Sequence, residues 1–226
     1  MRSTAVVVFA KAPRAGAVKT RLSPPLSPAA AARLYRCFLL DVLDGVRALG
    51  GITPVIAYAP RRARGFFAAM QPGTLLVEQA GADLGARMAG VFERLFARGF
   101  PAVVMLGADS PTLPPRYLRA AVRALRSAAV DGVVGPSDDG GYYLIGLRAP
   151  CRALFTGIAW STERALEQTR RQARRAGRRL RVLPAWYDVD TIEDLRRLSA
   201  DLRRTRRGAT RTRRLLGTPA WRALVR

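Results

Sequence analysis

The chain has 226 residues, of which 49% are hydrophobic and 24% charged, so it is long enough to bury a core without disulfides or a structural metal. Its 39 basic and 16 acidic residues give a net charge of +23, and it contains no histidine and two cysteines. This composition excludes Ser-His-Asp and Cys-His catalysis, histidine-ligated metals and a disulfide framework, so a metal would be held mainly by oxygen, as magnesium, manganese or calcium is.

Strands and helices are predicted in alternation along the chain. Apolar runs rich in β-branched residues indicate buried strands, and apolar residues at helical spacing indicate amphipathic helices. In chain order, the predicted elements are strand 4–10, helix 28–49, strand 54–57, helix 61–70, strand 75–77, helix 83–98, strand 102–106, helix 114–128, strands 132–135 and 142–147, helix 162–177, strand 180–183 and helix 191–207. This order predicts one α/β domain with a mostly parallel sheet, to which the pair 132–147 adds an antiparallel element.

The first residues give little sign of a targeting segment. An apolar run over residues 5–10 is ended by Lys11, and it is too short for the core of a signal peptide or for a membrane span. We therefore expect no membrane span and a cytoplasmic location.

Arginine is concentrated in the last third of the chain. Residues 170–181 contain seven arginines and residues 203–226 contain nine, without an acidic residue in either segment. Such a pattern is typical of a surface that binds nucleic acid or anionic lipid, and equally of a solvated helix face with a frayed tail. A base-stacking surface requires aromatic residues interleaved with the arginines, and these two segments do not have that pattern. We therefore predict a domain over residues 1–202 and an arginine-rich tail over 203–226.

The loop after the first predicted strand is strongly basic. It contains Lys11, Gly16, Lys19 and Arg21 within eleven residues. Ligands of open α/β sheets bind at the carboxyl ends of the strands, so this loop could wrap a polyphosphate. It matches neither the Walker A loop nor the GxGxxG motif of dinucleotide folds. An exposed basic loop without a ligand is the alternative.

Acidic residues follow two of the predicted strands. Asp109 comes soon after strand 102–106, while Asp188 and Asp190 follow strand 180–183 and point to the same side of an extended segment. A carboxylate at a strand end can hold a metal over a phosphate. The alternatives are a turn or helix cap at Asp109 and a capping box that begins at Asp190 or Thr191.

Two glycine-rich segments are candidates for contact with the rest of a substrate. The turn at 135–143 suggests an acceptor-binding loop, whose candidate residues are Asp138, Asp139, Gly140 and Gly141. The segment 79–88 leads into a helix and suggests a cradle for a base or ribose, with an ordinary helix cap as the alternative. The candidate nucleotide-binding residues in it are Gln79, Gly81, Asp83, Gly85 and Arg87.

Four motifs together resemble a known bacterial family. They are FAKAPRAGAVKTRL at 9–22, GADSPTLP at 107–114, GPSDDGGYYLIGL at 135–147 and DVDTIEDL at 188–195. In this order they resemble a GT-A-type glycosyltransferase family of the nucleotide-diphospho-sugar transferase superfamily, some of whose members are linked to arsenosugar biosynthesis or to radical-SAM and selenoprotein gene neighbourhoods. The chain is more distantly similar to molybdopterin and 2-phospholactate guanylyltransferases. The resemblance spans about residues 4–200, so it implies nothing for the tail.

The resemblance implies a GT-A, Rossmann-like, three-layer α/β/α fold and assigns roles to the matching residues. Lys19 and Arg21 match the phosphate-binding loop, Asp109 the metal-binding aspartate and Asp190 the second metal carboxylate. Gly81, Asp83 and Gly85 fall at the nucleoside contacts, and residues 138–141 fall near the acceptor.

The implied activity is that of a transferase which depends on Mg²⁺ or Mn²⁺ and uses an activated nucleotide donor. The donor is either an NDP-sugar or an NTP that leaves pyrophosphate, and the acceptor is an unknown small molecule. Catalysis by Lys19, Arg21 and Asp109 would depend on positioning and charge neutralisation, without a covalent nucleophile. A nucleic-acid-binding module that uses the basic C-terminal region on a degenerate transferase fold is the alternative. We do not expect nucleic acid to be the partner.

Overall fold

The computed structural model describes residues 3–205 and 208–225 and contains one seven-stranded sheet. The order of the strands across the sheet is β3-β2-β1-β4-β6-β5-β7. In chain order the strands are β1 (Thr4–Lys11), β2 (Ile52–Ala59), β3 (Leu75–Glu78), β4 (Val103–Gly107), β5 (Gly132–Pro136), β6 (Tyr142–Leu147) and β7 (Leu180–Val182).

The centre of the sheet is formed by strands that are buried on both faces. Val7 of β1 lies opposite Val55 of β2 and Met105 of β4, and both pairings are parallel. Val6 and Val8 lie on the face of the sheet opposite to Val7, and all three side chains are fully buried. The continuous β-branched run at the start of the sequence therefore forms the central strand that its composition predicts.

One strand of the sheet runs against the others. Strand β6 pairs antiparallel with both β4 and β5, whereas β5 pairs parallel with β7. The predicted antiparallel element is thus confirmed. Because β6 reverses direction, the turn between β5 and β6 lies at the edge of the sheet where β1 and β4 also end.

Eight helices are described, and most of them cover the two faces of the sheet. They are α1 (Pro28–Arg47), α2 (Arg64–Met70), α3 (Leu84–Ala97), α4 (Pro115–Ala124), α5 (Ala165–Arg175), α6 (Ile192–Arg204), α7 (Thr210–Leu216) and α8 (Pro219–Leu224). Helices α1, α2 and α4 bury apolar residues against one face, and α3 and α5 against the other. The result is the three-layer α/β/α fold that the resemblance implies.

The C-terminal residues form part of the folded body. The sequence analysis separates a tail at residues 203–226, but α7 and α8 pack against α1 and α6. Leu215, Leu216 and Trp221 are buried there with Leu34 and Phe38 of α1. Burial of these apolar side chains explains why α7 and α8 pack against the domain although the segment is rich in arginine.

A buried carboxylate also fixes the start of α7 on α1. Asp41 accepts hydrogen bonds from the backbone amides of Arg211, at 3.0 Å, and Thr212, at 2.8 Å. The guanidinium of Arg211 additionally pairs with Asp44. The amides at the first turn of a helix lack partners within the helix, so Asp41 satisfies groups that burial would otherwise leave unpaired.

Some positions of the predicted elements and segments lie outside the residues that the structure describes. Helix α6 ends at Arg204, and positions 206 and 207 of the predicted helix 191–207 lie outside the described residues. Residues 1 and 2 of the predicted domain and residue 226 of the predicted tail also lie outside them.

Over residues 3–205 and 208–225, none of the helices combines the length and the apolar character that crossing a membrane requires.

Candidate functional site

A cleft of about 590 Å³ opens at the carboxyl edge of the sheet. The ends of β1 and β4, the β5–β6 turn and the segment before α6 meet there, as the topology requires. Seven of the predicted site residues line this cleft: Lys11, Lys19, Arg21, Asp109, Asp139, Gly141 and Asp190.

Lys19 lies at the centre of the acidic part of the cleft. Its ammonium forms ion pairs with Asp109 and with Asp190, the latter at 2.8 Å, and its side chain is 3% exposed. Burial lowers the pKa of Lys19, but the two neighbouring carboxylates outweigh that effect and hold its pKa above the ordinary value. Lys19 therefore carries its positive charge in the folded protein.

The two carboxylates that contact Lys19 come from distant parts of the chain. Asp109 follows β4, Asp190 precedes α6, and the amide of Val189 donates to the Asp109 carbonyl at 3.0 Å. This backbone bond holds the two segments side by side. The side chains of Asp109 and Asp190 are 38% and 40% exposed, so each carboxylate can meet a ligand from the cleft as well as Lys19.

Asp188 lies at the wall of the cleft and of the adjoining smaller pocket, where it belongs to a hydrogen-bond network. Its carboxylate accepts hydrogen bonds from the hydroxyls of Ser110 and of Ser137, the latter at 3.2 Å. Burial, together with the charge of Asp109, raises the pKa of Asp188 to about 7. Of the two alternating aspartates in the sequence, Asp190 thus contacts Lys19 in the cleft, while Asp188 ties together the loops that follow β4 and β5.

The carboxylates fit a divalent cation that shares its coordination with a substrate. Among the described residues, no three acidic or cysteine side chains are arranged so as to hold a metal ion by themselves. Asp109 and Asp190 nevertheless lie close enough to contact one ammonium and remain partly exposed. Because Mg²⁺ is commonly bound by one or two carboxylates plus substrate phosphates, this pair suits a site that phosphate oxygens complete.

The capping alternative for the segment around Asp190 holds at the same time. Thr191 and Asp194 form a capping box at the start of α6, and the amide of Asp190 donates to Asp194 at 3.0 Å. The cap fixes the backbone of Asp190 and does not use its carboxylate, which pairs with Lys19 at the cleft.

The predicted nucleotide-binding residues before and within α3 carry structural contacts. The side-chain amide of Gln79 donates to the carbonyls of Ala10, at 3.0 Å, and Ala57, at 2.7 Å, so it joins the ends of β1 and β2. Asp83 accepts a hydrogen bond from the amide of Ala86 at 2.7 Å and caps α3, as the alternative interpretation holds.

The glycines of this segment are explained by close packing. Gly81 has φ +150°, and a Cβ there would come within 2.7 Å of the Arg87 amide nitrogen. A Cβ at Gly85 would overlap the Phe155 carbonyl and come within 2.9 Å of Trp160 Nε1. Arg87 itself donates to the Gly81 carbonyl at 3.1 Å. The five predicted residues of segment 79–87, all of them described, shape the wall beside the cleft without being among its lining residues.

The predicted acceptor loop is divided between two environments. Asp139 and Gly141 line the cleft, and Asp139 accepts a hydrogen bond from the Gly141 amide at 2.9 Å. Asp138 points to an adjoining smaller pocket and pairs with Arg197 at 2.7 Å. The turn therefore presents one carboxylate to the cleft and uses the other to hold α6.

Two further predicted glycines serve the backbone. Gly140 has φ +82°, and a Cβ there would overlap the backbone of Glu163, so glycine allows the β5–β6 turn to pack against the segment before α5. Gly16 has φ +74° in the basic loop, in open surroundings, and is not one of the residues that line the cleft.

A further wall of the cleft combines residues of the two predicted glycine-rich segments with a loop that the sequence analysis missed. It is formed by Leu84 and Met88 of α3 and by Tyr142 and Trp160, whose rings meet edge to face at 6.3 Å. Leu84 is 39% exposed, which is unusual for a large apolar residue in this protein. Residues 161–163 continue this wall toward Asp139. Leu84, Met88 and Tyr142 lie in the predicted segments 79–88 and 135–143, although they were not singled out there. Trp160 and residues 161–163 do not follow a predicted parallel strand, so reasoning from strand ends could not find them.

Comparison with known structures shows a relative that matches the whole chain. A provisionally assigned nucleotide-diphospho-sugar transferase from Desulfovibrio desulfuricans G20 is 35% identical, with a TM-score of 0.90, over 100% of this chain and 97% of that one. Two more distant structures share the fold. CMP:2-keto-3-deoxy-manno-octonic acid synthetase complexed with CTP is 14% identical over 89% of this chain and 99% of that one, with a TM-score of 0.58. Rv0371c from Mycobacterium tuberculosis H37Rv, in complex with manganese, is 22% identical over 87% and 97%, with a TM-score of 0.52.

The sequence of the chain also matches a protein family over part of its length. None of the curated proteins is a significant match. Residues 42–162, a little over half of the chain, match the family described as "uncharacterized protein conserved in bacteria (DUF2064)". With this match and a 35% identical relative along its full length, the chain belongs to the bacterial DUF2064 family and has the fold of a nucleotide-diphospho-sugar transferase.

Proposed function

We propose that this protein is a metal-dependent transferase that takes an activated nucleotide as its donor. The observation that carries the proposal is the composition of the cleft, where Lys11, Lys19 and Arg21 face the same space as Asp109 and Asp190. Cations are needed to bind the phosphates of a nucleotide, and carboxylates are needed to bind the divalent ion that accompanies them. Both kinds of group converge here at the ligand-binding edge of an α/β sheet.

In this proposal the protein acts by positioning and by charge. Lys19 and Arg21 bind the donor phosphates, while Asp109 and Asp190 hold Mg²⁺ or Mn²⁺. The bound ion would neutralise negative charge on the phosphates. The acceptor lies by the turn that presents Asp139 and Gly141, and no side chain becomes covalently attached to the substrate.

In this proposal the segment before α3 lies beside the nucleoside, but residues other than the predicted five contact the donor. Leu84 and Met88 reach the cleft from α3, so they would contact the donor directly. Gln79, Gly81, Asp83, Gly85 and Arg87 would fix the backbone that carries them, through the contacts described above.

Relatives of the protein support a nucleotide donor. The relative from Desulfovibrio desulfuricans is provisionally assigned as a nucleotide-diphospho-sugar transferase, a synthetase of the same fold holds CTP, and Rv0371c of the same fold holds manganese. A more specific type, linked to arsenosugar biosynthesis or to radical-SAM and selenoprotein neighbourhoods, is part of this proposal and depends on identifying the acceptor.

Nucleotidyl transfer is the first candidate chemistry. An acceptor oxygen would bond to the α-phosphorus of an NTP while the bond to the bridging oxygen of the β-phosphate breaks, and pyrophosphate would leave. The charge of pyrophosphate requires several cations, which Lys19 and Arg21 supply on one side of the cleft. Glycosyl transfer from an NDP-sugar is the second candidate, and the assignment of the 35% identical relative favours it.

Product analysis with labelled donors would test the proposal. NTPs and NDP-sugars are incubated with the protein, Mg²⁺ or Mn²⁺ and a panel of small acceptors. Released pyrophosphate would support the first candidate, and a released nucleoside diphosphate the second. If neither product forms with any nucleotide donor, that result would contradict a nucleotide-dependent transferase.

A pair of variants connects the activity to the cleft. For nucleotidyl transfer, we expect Arg21→Ala to lower kcat/KM about 10- to 100-fold, as the loss of a charge-assisted contact does. Arg14 lies exposed in the same basic loop but does not line the cleft, so Arg14→Ala is the matched control. Equal effects of the two variants would refute the assigned role of Arg21.

A further inference from the structure

The ammonium of Lys19 occupies the place where two candidate metal ligands converge. Its Nζ contacts Oδ1 of both Asp109 and Asp190. The lysine side chain is 3% exposed, whereas the two carboxylates are 38% and 40% exposed, so the carboxylates can be reached from the cleft and the ammonium cannot. An ammonium and a divalent cation would use the same carboxylate oxygens, and they therefore compete for them.

The surroundings of Lys19 hold it in this position. Its backbone has φ 50°, a left-handed conformation that a side-chain-bearing residue rarely adopts. A short 3₁₀ turn, Thr20–Leu22, follows directly, and the Leu22 amide donates to the Lys19 carbonyl at 3.0 Å. On the inner side, the ring of Phe38 lies 5.8 Å from Nζ. The loop is thus built to direct this ammonium inward, between the carboxylates.

We propose that Lys19 is an internal counter-ion that a divalent cation must displace from Asp109 and Asp190, so that the cation binds well only together with the nucleotide. The inference rests on the proposed function, because it presupposes a cation at these carboxylates. Without nucleotide, displacement would leave a buried ammonium whose remaining acidic neighbour, Asp188, is already engaged by the hydroxyls of Ser110 and Ser137, which is costly. When donor phosphates are present, they become the new partner of the ammonium.

This arrangement makes cation binding and nucleotide binding depend on each other. Each raises the affinity of the protein for the other by the same factor, since coupling between two bound ligands is reciprocal. A carboxylate pair with no internal ammonium would instead bind the cation independently of the donor. Lys19 thereby neutralises the repulsion between the two carboxylates whenever no cation is bound.

The first test measures Mn²⁺ binding without nucleotide, with the free ion followed by electron paramagnetic resonance. We expect weak binding to the wild type and at least about tenfold tighter binding to Lys19→Met, from the loss of one charge-assisted competitor. Lys11, the other lysine of the chain, lines the same cleft without a carboxylate partner among the described residues. Lys11→Met therefore controls for removing a nearby positive charge. Equal affinities of the two variants would overturn the proposal.

The second test needs no variant and detects the displacement itself. Acetylation by an N-hydroxysuccinimide ester is followed at both lysines by mass spectrometry, with Lys11 as the internal reference. In the wild type, saturating Mn²⁺ alone should speed modification of Lys19 at least about tenfold, because the ammonium loses its partners. Adding a nucleotide with the Mn²⁺ should protect Lys19 again. Bound Mn²⁺ with unchanged modification of Lys19 would overturn the inference while leaving the proposed function intact, whereas no Mn²⁺ binding even with nucleotide would overturn both.

Discussion

Shortening Leu215 to alanine would test whether the C-terminal helices stabilise the whole protein. Leu215 is 5% exposed and packs in the same cluster as Leu34 and Phe38 of α1. Removing a buried leucine side chain costs about 2–5 kcal/mol, and we expect about 2–4 here because a short helix near the chain end can partly relax. For a protein of this size that loss lowers the Tm by roughly 4–16 °C.

Thermal and urea unfolding, followed by circular dichroism, would measure this loss. Arg214 is exposed in the same helix, so Arg214→Ala should change the free energy of unfolding by no more than about 0.5 kcal/mol. Composition alone favours a dispensable tail, in which case even truncation after residue 203 would be harmless. If Leu215→Ala were as stable as Arg214→Ala, the packing of α7 on α1 would be refuted.

Two further predictions concern single carboxylates. Asp109→Asn should lower kcat/KM at least about tenfold in steady-state assays while the protein stays folded, because it removes one charge from the proposed cation site, keeps the shape of the side chain and leaves Lys19 paired with Asp190. Retained activity would show that Asp109 is a turn residue. Asp131 accepts a hydrogen bond from the Arg179 amide at 2.8 Å, which lowers the pKa of Asp131 below its ordinary value. The stability from this carboxylate is present at neutral pH and lost as the pH falls through the lowered pKa. Asp131→Asn should therefore be less stable than the wild type in urea unfolding at about pH 7, and the difference should shrink as the pH is lowered through the acidic range.

The parts of the fold that follow from local sequence were predictable. The buried run over residues 5–10 became the central strand β1, and tandem prolines at 114 and 115 mark the start of α4. Because parallel strands end at one edge of a sheet, the meeting of Lys19, Asp109 and Asp190 also followed from the order of elements.

What the sequence could not predict depends on contacts between distant segments. The ion pairs of Lys19 require its left-handed backbone, and lysine gives no local signal for that conformation. Gln79 and Asp83 have side chains that suit either a ligand or the backbone, and only the packed strands and helix decide in favour of the backbone. Trp160 reaches the cleft from a loop whose path is set by the helix after it.

The hydrogen bond between Asp41 and the Thr212 amide joins residues 171 positions apart, and this separation has a consequence for synthesis on the ribosome. The sheet and the helices on its two faces can be assembled while α7 is still inside the exit tunnel. Until α7 emerges, part of the side of α1 that carries Leu34 and Phe38 is exposed. Such an apolar surface is a binding site for chaperones and for other nascent chains. A chain truncated shortly before residue 210 keeps the sheet but leaves this side of α1 exposed, so it should aggregate more readily than the full-length protein.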